Sequence, residues 1–70
     1  MTVDDWINHP GHVACATRRI YDADGTYAKR GSIGEVCAYL DGETSAGGYV
    51  IVDFPATGPM LCWPDEIRPA

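Results

Sequence analysis

Gly31-Ser32-Ile33-Gly34-Glu35-Val36-Cys37-Ala38-Tyr39-Leu40-Asp41-Gly42 decides the fold, together with Tyr49-Val50-Ile51-Val52-Asp53-Phe54 and Met60-Leu61-Cys62-Trp63-Pro64-Asp65-Glu66-Ile67 downstream of it. Each stretch holds an apolar run of strand length bounded by glycine, aspartate or proline, which is the pattern of antiparallel strands joined by tight turns. In the first, Gly34, Val36, Ala38 and Leu40 share one face and Ile33, Glu35, Cys37 and Tyr39 the other. Gly34 inside the run marks a bend or a close backbone approach. In the second, Val50, Val52 and Phe54 are the expected core face. The third gives a short strand over Met60–Trp63, one helical turn from Pro64, and a terminal strand fragment that returns Ile67 to the core. The turn between the first two strands opens at Asp41-Gly42 and closes at Gly47-Gly48.

Upstream, Thr2 with Asp5 three residues on has the spacing of a capping box, and Pro10-Gly11 ends the segment. A one- to two-turn helix is expected there, with Trp6 and Ile7 lying on the sheet as a lid. His12 to Tyr21 reads as a strand. Asp24-Gly25 is a turn signal, because glycine accepts positive φ and aspartate bonds its own backbone. Residues 22–31 read as a long loop.

Seventy residues make one domain, and a domain of this size buries only about 60% of the surface its unfolded chain exposes. With 46% hydrophobic residues the chain can fold alone around a thin core. The formal net charge of −5 repels phosphate backbones and anionic lipid, which disfavours nucleic-acid binding. The basic residues are nevertheless clustered: Arg18, Arg19, Lys29 and Arg30 bracket the long loop. Cys15, Cys37 and Cys62 form no CxxC pair, and three well-separated cysteines in apolar surroundings point to a reducing, cytoplasmic setting in which each fills the core. No apolar run is long enough to span a bilayer as a helix.

His9, His12 and Cys15 are metal-ligand types, but Pro10 and Gly11 keep the histidines off a common helix face and no fourth ligand follows. A solvated loop is the preferred reading, so no metal and no cofactor is assigned. Asp22-x-Asp24-Gly25 resembles the start of a calcium loop, yet Tyr27 and Ile33 stand where glycine and a bidentate glutamate are needed. No complete catalytic signature occurs.

Gly31 to Val36, Val50 to Phe54 and Pro64 to Ile67, in that order, resemble bacterial SH3-like barrels over residues 12–70. The resemblance implies a mainly β fold, an SH3-like five-stranded bent barrel with a short N-terminal helix (residues 1–11, helix and lid) and a helical turn near the C-terminus. From Gly31 onward the chain is similar to the ferredoxin-thioredoxin reductase variable chain. Over Arg19 to Glu35 it is similar to the NifZ family of nitrogenase-maturation accessory proteins. Both imply a non-catalytic accessory role beside a larger redox or metal-cluster protein. Type II dihydrofolate reductases share the architecture and build one active site in a tetramer. Met60-Leu61-Cys62-Trp63 stands where their Val-Gln-Ile-Tyr motif falls, which removes the glutamine and tyrosine.

A thin core cannot hold Tyr21, Tyr27, Tyr39, Tyr49 and Trp63 together, so some of these rings face outward. Tyr39 and Tyr49 are expected beside one another on the outer face across a hairpin, as a stabilising cross-strand pair or as a docking patch. The expected docking surface is the loop with Arg19, Tyr21, Tyr27, Lys29 and Arg30, beside Trp63. Its expected partner is a larger protein with an acidic patch. Self-association, including an enzyme site assembled at a subunit junction, is the competing class.

Overall fold

The computed structural model describes residues 1–43 and 47–70. The tip of the turn expected between Asp41-Gly42 and Gly47-Gly48 lies outside the described residues.

Helix α1 (Val3–Asn8) begins on the expected capping box: Thr2 N–H donates to Asp5 Oδ2 at 2.8 Å, and Asp5 N–H donates to Thr2 Oγ1 at 3.2 Å. Two of the helix's orphan N-terminal donors are satisfied this way. Val3 and Trp6 point inward, and Trp6 is fully buried with its Nε1–H donating to the Pro64 carbonyl at 3.4 Å. The lid is therefore the indole. Ile7 stays half exposed.

Strands β1 (Val13–Ala16), β4 (Ile33–Asp41), β5 (Gly48–Phe54), β6 (Gly58–Cys62) and β7 (Ile67–Pro69) form an antiparallel sheet in the order β6-β5-β4-β1-β7. A 3₁₀ turn (Pro64–Glu66) precedes β7, as Pro64 at the head of the turn predicts. Between β1 and β4 stands a separate two-stranded hairpin, β2 (Ile20–Tyr21) and β3 (Tyr27–Ala28). The single strand expected over residues 12–21 is thus broken after Ala16, where Thr17 turns its N–H and hydroxyl to the Glu66 carbonyl at 2.9 and 3.0 Å. Part of the expected loop is strand, because Gly25 at φ +90° and the Asp22 N–H to Thr26 O bond of 2.7 Å fold it back on itself.

Val50, Val52, Phe54, Met60, Cys62, Ile20 and Ile67 are buried with Trp6 in one cluster, so the β5 face chosen from sequence is the core face. Gly34 of β4 lies close against β5: a Cβ there would lie 2.7 Å from the Asp53 carbonyl oxygen and 2.7 Å from Val52 Cγ1.

The expected Tyr39–Tyr49 pair does not form. The β4–β5 register shifts between Val36 and Ala38, so Cys37 is accommodated in a bulge and the facing alternates differently on its two sides. Val36 stays inward opposite Val52, but Tyr39 now opposes Val50, packs on the core and donates its hydroxyl to the Trp6 carbonyl at 3.2 Å. Leu40, expected inside, is half exposed opposite Tyr49. Cys37, expected in the core, is exposed, whereas Cys15 and Cys62 are buried.

Candidate functional site

The β2–β3 register places Tyr21 opposite Tyr27, with ring centroids 5.7 Å apart. Arg19 immediately precedes β2 and folds over the two rings. Its guanidinium carbon sits 4.7 Å from the centroid of the Tyr27 ring, and Nη1 donates to the Tyr21 hydroxyl at 3.3 Å. The hydrogen bond to Tyr21 pushes the Arg19 pKa further up, with the charge interactions of Tyr21 and Tyr27 adding to it. Stacking and hydrogen bonding hold a permanently charged fork in one orientation at low entropic cost. Tyr21 is 60% exposed and Tyr27 41%, so this platform faces solvent.

Trp63 reaches the same side of the molecule by another route. It follows β6 directly, packs edge-on against Tyr49 with centroids 5.9 Å apart, and is 43% exposed. A shallow groove of about 390 Å³ runs between it and the hairpin, lined by Tyr21, Asp22, Tyr49, Leu61, Trp63 and Glu66. Glu66 fixes the Trp63 end: one carboxylate oxygen accepts the Trp63 N–H at 2.8 Å, and the other meets Arg18 Nε at 3.5 Å. The sequence places Tyr49 with Tyr39 rather than with Trp63. The register Val50 opposite Cys62 carries Tyr49 toward Trp63, so the hairpin register was the signal for it.

The other basic residues lie elsewhere. Lys29 borders a second groove, of about 650 Å³, between β3 and the β5–β6 turn. Arg30 is exposed beside Gly31, whose N–H donates to the Ala16 carbonyl at 2.8 Å. Of the six residues expected at a docking surface, the fold brings Arg19, Tyr21 and Tyr27 into contact and sets Trp63 across a groove from Tyr21.

His9, His12 and Cys15 are not gathered into a ligand set. His9 packs edge-on against Trp6 at 5.9 Å, His12 is exposed with its carbonyl accepting Val36 N–H, and Cys15 is buried within β1. Among the described residues no three His, Cys, Asp or Glu side chains group to hold a metal ion. All three cysteines are free thiols, and burial, then the nearby Glu66 charge, pushes the Cys62 pKa up to about 12. A thiol so held is protonated and poorly nucleophilic. No helix among the described residues is long and apolar enough to cross a membrane.

Compared with protein-family models, with curated proteins and with solved structures, the chain matches none.

Proposed function

We propose that this chain is a small non-catalytic protein-interaction module built as an SH3-like bent barrel, and that it docks a larger protein through the Arg19–Tyr21–Tyr27 platform and Trp63. The observation that carries the reading is the exposed Arg19 guanidinium, stacked on Tyr27 and hydrogen-bonded to Tyr21. Aromatic and arginine side chains held rigid at a surface are the residues that concentrate binding energy at protein interfaces. A preorganised guanidinium selects a carboxylate, so the partner presents an acidic patch.

The strand order β6-β5-β4-β1-β7, the hairpin in the β1–β4 connection and the 3₁₀ turn before the last strand support the SH3-like reading. The resemblance to accessory chains of redox and metal-cluster enzymes supports an accessory role beside such a protein. The test compares affinity capture by the wild-type chain and by the triple variant Arg19→Ala/Tyr21→Ala/Trp63→Ala. The wild type is expected to retain a partner that the variant loses. Equal retention by both would remove this surface as the docking site.

A further inference from the structure

The second groove has a feature that follows from hairpin geometry. In an antiparallel pair, residues alternate between those that exchange both backbone hydrogen bonds with the opposite strand and those whose N–H and C=O point the other way. Asp22 N–H donates to Thr26 O, and Tyr21 is opposite Tyr27, so Tyr21 and Tyr27 occupy a pair of the second kind. The Tyr27 N–H and C=O therefore point away from β2. Among the described residues the groove is lined by Tyr27 and Ala28 of β3 and by Lys29 just beyond it, and by none of β2, so it lies along that free edge. Its opposite wall and floor are Ile33, Phe54 and Pro55, and among the described residues Lys29 is the one charged side chain that lines it.

We propose that an extended segment of the partner protein adds to the free edge of β3 as a third strand, placing an apolar side chain against Ile33 and Pro55 and a carboxylate against Lys29. This rests on the reading of the chain as a docking module and specifies a second mode of contact for it. Main-chain pairing supplies register, and alternate side chains supply specificity, as in other cases of strand addition. One incoming residue opposite Tyr27 exchanges two hydrogen bonds with it. Its two neighbours then turn toward the Ala28 face, where Ile33, 49% exposed, gives them an apolar wall. Lys29, just past β3 at the end of the groove, takes an acidic residue of the incoming strand. In a chain with ten acidic and five basic residues, a groove whose charge among the described residues is the positive Lys29 selects that carboxylate.

The test is selection from a displayed library of random heptapeptides against the full chain, followed by titration of the enriched peptide into ¹⁵N-labelled protein. Enriched sequences are expected to alternate a carboxylate with a β-branched residue. The peptide should shift the Tyr27 and Lys29 amide resonances, slow Tyr27 N–H exchange at least tenfold, and bind Lys29→Glu at least tenfold more weakly. Because Lys29 is exposed, that variant should keep the wild-type circular dichroism spectrum. Absence of enrichment overturns the proposal. So does a peptide that shifts Tyr49, Leu61 and Trp63 instead and is indifferent to Lys29→Glu, an outcome that leaves the docking-module reading intact.

Discussion

The Tyr39 hydroxyl donates to the backbone carbonyl of Trp6 at 3.2 Å, tying the middle of the sheet to the helix that lies on it. That bond exists because the bulge at Cys37 turns Tyr39 inward. The same carbonyl also accepts His9 N–H at 3.2 Å, so it keeps a partner when the phenol is removed. Tyr39→Phe should therefore cost about 0.5–1.5 kcal/mol, the net value of one such bond. Trp6→Ala should cost about 3–5 kcal/mol through the cavity it leaves. Urea unfolding followed by circular dichroism measures both.

Gly34→Ala should destabilise by about 1–3 kcal/mol, because its methyl meets a backbone carbonyl and a packed valine that have little room to retreat. Gly25→Ala meets no neighbouring atom and should lose only about 1 kcal/mol, from its positive φ. Thermal melts of the two variants should rank in that order, and the reverse order would contradict the packing described around Gly34.

Glu35 and Asp53 stand directly opposite one another on β4 and β5, both exposed. Like charges in that position are repulsive. Asp53→Lys should raise stability by about 0.2–1 kcal/mol at low ionic strength, with the gain shrinking as salt is added.

Backbone and side-chain hydrogen bonds from Thr2 lower the Asp5 pKa, and bonds from Thr26 lower that of Asp24. A carboxyl group whose pKa is depressed on folding binds its proton more readily in the unfolded chain, so it stabilises the fold above its unfolded pKa of about 3.9. That contribution drains away as pH falls below this value and through the lower folded pKa. Melting temperatures recorded from pH 2 to pH 6 should fall less steeply on the acid side in Asp5→Asn and Asp24→Asn than in the wild type. Parallel curves would show that the Asp5 cap and the Asp24 turn add no charge-dependent stability.

Iodoacetamide under native conditions should label Cys37 alone, since it is the exposed thiol, with Cys15 and Cys62 modified only after unfolding. Peptide mass mapping reads the result.

The strands downstream of Gly31 were legible because their apolar runs are separated by strong turn residues, and the Thr2–Asp5 cap was legible because it depends on spacing alone. The bulge was not. Apolar residues occupy both faces of Ile33–Leu40, so alternation cannot show where the register slips, and the facing of Tyr39 and Leu40 was exchanged in consequence. Tyr27-Ala28 was hidden as a strand because two residues between a turn and two cations carry no periodicity. The Arg19, Tyr21 and Tyr27 cluster was legible as membership of one segment. Its geometry required the register of the hairpin, as did the meeting of Tyr49 with Trp63.

The pairing of β1 with β7 brings Ala14 opposite Pro69. The β4–β5–β6 meander can form from neighbours in the chain, whereas this seam must wait for a long loop to close. Folding should thus run from the meander outward, with the β1–β7 seam as its final step. Removing the last three residues should arrest maturation at that point, leaving β1 with an open edge available to another molecule.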